Sequence, residues 1–246
     1  MHTQIVIPTY NEAENLPRMA ERLFELPIED LRLLVIDDGS PDGTGAVAEQ
    51  LAEQRPGRVH VLHREGKLGL GTAYLTGFRW ALEHGAGVIV QMDADFSHDP
   101  QVIPELISEL DQADVAVGSR YAAGGSLDER WPFWRKWLST FGNLYARTVL
   151  RMPVRDLTGG FRAWNREVMS AIPLDRVKSE GYAFQVEMIY LAYLLGFEIS
   201  EVPIYFADRE EGESKMSLGI QIEAAIRVWA ILLEYADLRR KDQAAD

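Results

Sequence analysis

Short apolar runs alternate with helical segments through the first half of the chain, and this alternation limits the possible folds more than any other feature. The runs are rich in Val, Ile and Leu and are followed by turn-forming residues; they cover 5–7, 33–36, 59–63, 88–92 and 115–118. A helix is predicted from Asn11 or Glu12 to Leu26, and a second one from the end of the turn at 37–43 to about Gln54. Further helices are predicted over 71–84, 100–110, 182–195 and 217–238. Strands separated by such helices predict an α/β domain with a mostly parallel sheet.

The run at 88–92 stops abruptly at two carboxylates, Asp93 and Asp95. Residues two apart on a strand point to the same side, so both side chains can face one point. Hard divalent cations such as Mg2+ or Mn2+ take oxygen ligands, often one or two carboxylates plus substrate phosphates. A solvated turn is the alternative for so short a pattern. Ligands of open α/β sheets bind outside the carboxyl ends of the strands, which favours a cation site.

Acidic residues end a second strand at Asp37 and Asp38. A dinucleotide fold would place G-x-G-x-x-G after the first strand, but residues 8–12 read PTYNE, and the sequence has no P-loop pattern. Carboxylates can accept hydrogen bonds from ribose or base while others hold a metal against a diphosphate. The strand ends are therefore predicted to bind a nucleotide diphosphate together with a metal.

Composition excludes several classes of function. The chain has 246 residues and a formal net charge of -13, which argues against a general nucleic-acid surface. It has no cysteine, so disulfides and thiolate metal sites are excluded, and a reducing cytoplasm fits. The N-terminal MHTQIVIP is not a signal sequence, and no apolar run approaches the roughly 18 residues of a membrane span. We expect a cytoplasmic protein, soluble or bound to the surface of a membrane.

Five motifs follow one another along the chain: PTYNE at 8–12, DDGSPDGT at 37–44, DAD at 93–95 with Ser97 and His98, GSRY at 118–121, and DLTGGF at 156–161. Together they resemble the family 2 glycosyltransferases of GT-A fold, most closely the dolichol-phosphate or polyprenol-phosphate mannose synthases. The similarity runs from Ile5 to about Lys215. It implies a single GT-A domain over 1–246, with a nucleotide-sugar half (1–125), an acceptor half (126–216) and a C-terminal amphipathic helix (217–238).

The resemblance also implies a role for individual residues. Contacts with the nucleotide sugar are implied at Pro8, Tyr10, Glu12, Ile36, Asp38 and Ala94. Contacts with the metal and the diphosphate are implied at Asp93 and Asp95, and further phosphate contacts at Arg120, Arg209 and Lys215. The lipid phosphate is implied to contact Arg120, Arg135 and Ser139. Some relatives have a glutamine contact to the metal where this chain has Ser97, which leaves the choice between Mg2+ and Mn2+ open.

The reaction that the resemblance implies is transfer of mannose from GDP-mannose to a polyprenyl or dolichyl phosphate. It would depend on a metal and invert the anomeric centre, with Asp95, Arg120, Arg135 and Arg209 as catalytic residues. Two alternatives remain from the sequence. The donor could be UDP-glucose or another UDP-sugar, or the chain could be a non-catalytic subunit that binds a nucleotide sugar within a membrane complex.

The segment from Arg130 to Arg155 contains six basic residues and no acidic one, although the whole chain is acidic. It also contains three of the six tryptophans, at Trp131, Trp134 and Trp137. Tryptophan suits the boundary between lipid tails and headgroups, and basic residues attract anionic phosphates there. The segment is predicted to contact a membrane surface, where a separate membrane protein could also anchor it. The alternative is an amphipathic helix that packs on the domain.

The remaining polar residues give weaker indications. Asp156 either contacts the acceptor or belongs to a tight loop before Phe161. Gln185 and Glu187 are interpreted as satisfied polar groups in a core helix, and His98 as a turn residue. The charged segment 209–215 is a lid or a solvated loop, and the helix at 217–238 packs on the domain or lies on a membrane.

Overall fold

The computed structural model describes residues 1–208 and 218–238. Its strands are β1 (His2–Thr9), β2 (Leu31–Asp37), β3 (Val59–His63), β4 (Ala86–Gln91), β5 (Val115–Ser119), β6 (Ser126–Leu127), β7 (Arg162–Asn165), β8 (Ile199–Pro203) and β9 (Tyr205–Phe206). Its α-helices are α1 (Asn15–Phe24), α2 (Thr44–Gln54), α3 (Leu70–Glu83), α4 (Ile103–Glu109), α5 (Phe133–Leu150), α6 (Arg166–Ala171), α7 (Gly181–Leu194) and α8 (Leu218–Glu234). Short 3-10 helices cover Pro100–Val102 and Leu174–Arg176.

The central sheet has seven strands in the order β3-β2-β1-β4-β7-β5-β8. All pairs in it are parallel except the two made by β7, which runs antiparallel to both β4 and β5. The predicted α/β class and mostly parallel sheet are confirmed. The antiparallel strand was not predicted, because residues 162–165 are short and follow a glycine-rich loop. This strand joins the two predicted halves of the chain in one sheet.

Apolar side chains cover both faces of the sheet and make two cores. On β1, Ile5 and Ile7 face one core with α1, α2 and α4, while Val6 faces the other with α3, α6 and α7. This alternation follows from the two-residue period of a strand. Because both faces are covered, the strands read as nearly continuous apolar runs, as expected for parallel sheets.

Several helix boundaries differ from the predictions for local reasons. Helix α1 begins at Asn15 rather than at Asn11 or Glu12 because Asn11 has a φ of 63°, a left-handed conformation that no α-helix can include. The predicted helix at 100–110 is divided into a 3-10 turn and α4, with Asp99 accepting a hydrogen bond from the Gln101 amide at its start. Strands β8 and β9 are separated by Ile204 alone, and β9 leaves the central sheet to pair with β6.

Helices α5 and α8 pack against each other. The Tyr145 hydroxyl donates a hydrogen bond of 3.0 Å to the Ala225 carbonyl oxygen. Glu187 of α7 is fully buried, and it accepts hydrogen bonds from Tyr235, from the Ser179 amide and from Arg227. Its interpretation as a satisfied polar group is therefore confirmed. Arg227 lies on α8 and Tyr235 follows it, so the hydrogen bonds of this buried carboxylate hold α8 against α7.

Gly77 lies where α3 crosses the sheet, and its size sets the distance between them. A Cβ atom there would lie 2.5 Å from Ile36 Cδ1 and 2.5 Å from Val6 Cγ1. We expect Gly77→Ala to lower the free energy of unfolding by about 1–3 kcal/mol through overpacking. Urea denaturation followed by circular dichroism measures the change.

Gly142 of α5 is the matched control, since a Cβ there meets no atom within 4 Å. Gly142→Ala should be neutral or stabilising by up to about 1 kcal/mol, because alanine favours the helix. Equal destabilisation by the two substitutions would contradict the packing explanation.

Candidate functional site

The carboxyl ends of β1, β2, β4 and β5 lie at one edge of the sheet, and most of the sequence-predicted site residues follow these strand ends. Asp93 and Asp95 come directly after β4, where Asp93 is half-buried and Asp95 is buried. Asp95 Oδ1 accepts hydrogen bonds from the Ser97 amide at 3.1 Å and from the Ser97 hydroxyl at 2.6 Å. Ser97 therefore orients the carboxylate of Asp95.

Tyr74 of α3 orients the other carboxylate. Its hydroxyl oxygen lies 3.0 Å from Asp93 Oδ1 and 3.0 Å from the Met92 carbonyl oxygen. The ring is fully buried and stacks on Phe78 and Phe184. Burial, and then the negative charge of Asp93, raise the pKa of Tyr74 well above its usual value. The phenol thus stays protonated and remains a hydrogen-bond donor to Asp93.

The donor set of this aspartate pair suits a hard divalent cation. Both groups supply carboxylate oxygens, and each is held by a side chain that does not itself ligate, which is the usual support of a metal ligand. Across residues 1–208 and 218–238, no three His, Cys, Asp or Glu side chains form a complete metal-binding group. A cation bound here would thus take further oxygen ligands from water or from the phosphates of a substrate.

The backbone turn that follows Asp95 is strained and is packed against from outside. Phe96 has a φ of 59° and is buried. The guanidinium carbons of Arg18 and Arg22 lie 4.9 Å and 4.8 Å from the centre of its ring. Cations at this distance attract an aromatic ring electrostatically. Helix α1 therefore helps to hold the turn that presents Asp95.

Residues after β1 and β2 form a second group next to the aspartate pair. The Glu12 amide donates to Thr44 Oγ1 at 2.9 Å, and the Ala13 amide donates to Asp42 Oδ2 at 3.1 Å. These bonds join the loop after β1 to the DDGSPDGT loop after β2. Asp38 is buried, and its Oδ1 accepts a hydrogen bond of 2.6 Å from Arg64.

The other residues that were predicted to contact the nucleotide sugar lie at the same strand ends, and they differ in how far they are exposed. Pro8, Tyr10 and Glu12 are half-buried, and the ring of Tyr10 lies under the ammonium group of Lys67 at 3.9 Å. Ile36 has no exposed surface and Ala94 is 2% exposed. Nucleotide contacts at these positions stay predictions.

Arg120, which follows β5, is bound by a buried carboxylate. Asp156 accepts hydrogen bonds of 2.7 Å from both Nε and Nη2 of Arg120 and one of 3.0 Å from its amide. Thr158 also accepts from Nη2. Burial alone would lower the pKa of Arg120 and raise that of Asp156, but their mutual attraction shifts both the other way. Asp156 is therefore the counter-ion that fixes Arg120.

Arg135 and Ser139 lie on α5. Arg135 Nη1 lies 3.0 Å from Asp208 Oδ1, and its guanidinium stacks 3.6 Å above the ring of Trp131. Ser139 and Tyr121 share a hydrogen bond of 2.7 Å between their hydroxyl groups. Since Tyr121 follows Arg120, this hydrogen bond connects α5 to the end of β5. Arg209 and Lys215 lie outside the described residues.

His98 connects the loop of Asp93 and Asp95 with the surroundings of Arg120. Its Nδ1 accepts a hydrogen bond of 3.2 Å from the Asp93 amide, and its ring stacks on Phe161 at 5.0 Å. The ring also meets the edge of Phe206, which in turn lies 5.2 Å from the guanidinium of Arg120. Burial lowers the pKa of His98, so the imidazole is kept neutral. His98 is part of a turn, as predicted, and its ring also packs against the rings of Phe161 and Phe206.

Sequence reasoning did not find Tyr74, Arg64 or Asp208, each of which touches a predicted site residue. Tyr74 occupies a position that the helical pattern assigns to the core, and its hydroxyl partner lies 19 residues away. Arg64 and Asp208 stand in charged loops that resemble solvated surface. Tyr121, which contacts Ser139, was also not predicted, although its place in the GSRY motif could have pointed to it.

Comparison with known proteins identifies the family of the chain. A family model, glycosyl transferase family 2, matches residues 4–172. The polyprenol monophosphomannose synthase of Mycolicibacterium smegmatis is 48% identical over 232 residues, which cover 93% of this chain and 87% of that protein. The undecaprenyl-phosphate mannosyltransferase of Micrococcus luteus is 46% identical over 243 residues, which cover 98% and 99% of the two chains. The chain belongs to glycosyltransferase family 2, as its motifs predicted.

Solved structures agree on the fold. Glucosyl-3-phosphoglycerate synthase of Mycobacterium tuberculosis, in complex with Mn2+ and UDP-glucose, superposes with a TM-score of 0.63 at 18% identity. The alignment covers 94% of this chain and 78% of that one. At this identity the likeness concerns the fold, and the predicted GT-A architecture is confirmed.

Tyr74→Phe removes the hydroxyl that holds Asp93 while keeping the aromatic stack. If Asp93 and Asp95 ligate a cation, Mn2+ affinity should fall about tenfold or more, as is usual when the support of a ligand is lost. Isothermal titration with Mn2+ in the presence of GDP measures this. Tyr193→Phe, at an exposed tyrosine of α7, is the control. Unchanged affinity in Tyr74→Phe would show that the hydroxyl does not orient the ligand.

Proposed function

We propose that this protein transfers mannose from GDP-mannose to a polyprenyl phosphate, with the help of a divalent cation and with inversion at the anomeric carbon. The observation that carries the proposal is the similarity, over more than nine-tenths of the chain, to two relatives named for polyprenyl-phosphate mannose synthesis. The buried Arg120–Asp156 pair and the paired carboxylates after β4 support it, because a fixed guanidinium and carboxylates that could hold a cation follow strand ends at the same edge of the sheet.

The donor would lie across the ends of β1, β2 and β4. Tyr10, Glu12 and Asp38 would contact the nucleoside, and Asp93 and Asp95 would hold Mg2+ or Mn2+ against the diphosphate. The cation, when bound, neutralises the charge that develops on the leaving GDP. Ser97 and Tyr74 keep the two carboxylates in place, so that little reorganisation is needed when the donor binds. Arg209 and Lys215 would add positive charge at the same phosphates.

The acceptor phosphate would lie between Arg120, Arg135 and Ser139. One phosphate oxygen attacks the anomeric carbon, a new C–O bond forms, and the bond from that carbon to the GDP oxygen breaks, with its electron pair leaving on GDP. Arg120 keeps a fixed position because Asp156 binds two of its nitrogens. Arg135 would exchange its contact with Asp208 for one with the phosphate.

This reaction needs no strong general base among the side chains. A phosphate monoester has a second pKa of about 6 and is already a dianion near neutral pH. Two candidates for a base, Asp156 and His98, are both occupied, since Asp156 is bound to Arg120 and Nδ1 of His98 accepts a hydrogen bond from the Asp93 amide. Placement of the anionic nucleophile by arginine side chains would therefore matter more than removal of a proton.

A lipid acceptor requires contact with a bilayer, and the structure offers a suitable apolar face. Helices α5 and α8 expose apolar side chains at helical spacing, which we call the apolar face: Phe133, Trp134, Trp137, Phe141, Leu144, Ile226, Trp229 and Leu233. Phe133 is 82% exposed and Leu233 is 73% exposed. Helices that expose tryptophan and leucine in this way can lie in the headgroup region of a membrane. Within the described residues, no helix has the length and apolar character needed to cross one.

We expect label from GDP-mannose, and none from UDP-glucose, to enter an organic-extractable product when a short polyprenyl phosphate is the acceptor. Asp95→Ala should lower this transfer at least about a hundredfold, because a ligand of the essential cation is lost. Asp111→Ala, at an exposed acidic residue, is the control. If label entered the product from UDP-glucose alone, GDP-mannose would be the wrong donor and UDP-glucose would take its place in the proposal. Tight nucleotide-sugar binding without product would favour a non-catalytic subunit.

The apolar face predicts binding to lipid vesicles. Replacing Trp134, Trp137 and Phe141 together by serine should weaken sedimentation with phosphatidylglycerol vesicles about tenfold or more, because three aromatic anchors are removed. Tyr193→Ser is the control, as an exposed aromatic of α7 outside this face. If the wild-type protein does not sediment with vesicles, anchoring would belong to a separate membrane protein.

A further inference from the structure

Two basic residues of the loop after β3 lie directly on two residues of the proposed donor site. Arg64 Nη1 lies 2.6 Å from Asp38 Oδ1, and Lys67 Nζ lies 3.9 Å from the centre of the Tyr10 ring. Neither belongs to the five motifs of the sequence. The loop from Arg64 to Gly69 therefore forms a wall of the nucleotide site.

The position of Arg64 is set by the fold around it. Its side chain is 9% exposed. Besides Asp38, the guanidinium donates to the Gly69 carbonyl at 3.2 Å through Nη1 and to Thr72 Oγ1 at 2.5 Å through Nη2. Its amide donates to the Asp37 carbonyl at 2.9 Å, which continues the pairing of β2 and β3. The guanidinium is thus held between the end of β2 and the first turn of α3.

That first turn is itself fixed from a distant part of the chain. Glu180 Oε2 accepts a hydrogen bond of 2.8 Å from the Gly71 amide. Gly69 has a φ of 105°, and a Cβ atom there would lie 2.5 Å from Glu180 Oε2. Only glycine combines this backbone conformation with so close a carboxylate. The loop is therefore in place before any ligand binds, and Arg64 can determine the orientation of Asp38.

We propose that Arg64 is a positioning residue of the donor site, which acts by holding the carboxylate of Asp38 in the orientation that receives the nucleotide. This inference rests on the donor site proposed above. Arg64 binds Oδ1, while Oδ2 of Asp38 accepts no hydrogen bond from residues 1–208 or 218–238. Oδ2 is the oxygen that can accept a hydrogen bond from a base N–H or a ribose hydroxyl.

Charge gives a second reason for the role. Asp38 is 6% exposed, so little water stabilises its ionised form. A guanidinium at hydrogen-bonding distance compensates for this loss and restricts rotation of the carboxylate. Without Arg64, the carboxylate would rotate more freely. The free energy needed to order it on binding would then lower the affinity for the nucleotide. The effect should appear in donor binding and leave acceptor binding unchanged.

A double-mutant cycle tests whether Arg64 acts through Asp38. Calorimetry with Mg2+ present first compares GDP with UDP on the wild-type protein, and the cycle uses the nucleotide that binds more tightly. Arg64→Gln should weaken binding about tenfold, the usual size for losing a hydrogen bond to a charged group. Asp38→Asn should weaken it at least as much. In the Asp38→Asn background, Arg64→Gln should change the Kd by less than about twofold, since coupled residues are not additive.

Controls separate positioning from folding. Arg79→Gln removes another arginine from an ion pair of α3, with Asp175, and should leave the Kd unchanged. Arg64→Lys keeps a cation and should recover part of the affinity. In the transfer assay, Arg64→Gln should raise the KM for the donor and leave the KM for the acceptor and the kcat within about twofold, a pattern that a general loss of stability would not produce.

Two results would overturn the proposal: a Kd for Arg64→Gln within twofold of wild type, or the same loss of affinity in the presence and absence of the Asp38 carboxylate. Failure of nucleotide binding in the wild-type protein would remove the donor site and this role with it. Failure of mannosyl transfer alone, with nucleotide binding intact, would overturn the proposed reaction and leave the cycle interpretable.

Discussion

The concentration of buried and half-buried carboxylates at one edge of the sheet is the constraint on which the site depends. Parallel strands end together, so the acids that follow them meet there. Charges of one sign in a dry environment are costly unless each is hydrogen-bonded. Each has a defined partner; the pairs are Asp37 with Ser40, Asp38 with Arg64, Asp93 with Tyr74, Asp95 with Ser97 and Asp156 with Arg120. These partners leave an ordered site before a ligand or cation binds.

The antiparallel strand β7 lies between β4, which precedes Asp93 and Asp95, and β5, which precedes Arg120. Arg162, at its first position, pairs with Gln91 of β4 on one side and Val117 of β5 on the other. Its buried guanidinium donates to the carbonyl oxygens of Gln185 and Leu157, and burial lowers the pKa of Arg162 to about 9. Leu157 follows the counter-ion of Arg120. A shift of β7 would therefore move the aspartate pair after β4 and Arg120 together.

The proposed lipid acceptor gives the apolar face of α5 and α8 a relation to the site. Arg135 and Ser139 lie on α5, the same helix that exposes Trp134 and Trp137. Residues one or two positions apart on a helix point in different directions, so a single helix can meet lipid with its aromatic residues and the proposed site with its polar ones. Lipid phosphate at the headgroup level would then reach the proposed site while the tail stays outside.

The sequence by itself determined the α/β class, the strand ends that carry acids and the family, because these depend on local periodicity and on motifs in one order. It did not predict the strand at 162–165 or the hydroxyl of Tyr74 beside Asp93. The pairing of Arg120 with Asp156 spans 36 residues, and the contact of Gly71 with Glu180 spans 109. Such contacts were decided only by the tertiary structure, since they depend on which strand enters between β4 and β5 and on how α3 crosses the sheet, and no local pattern records either.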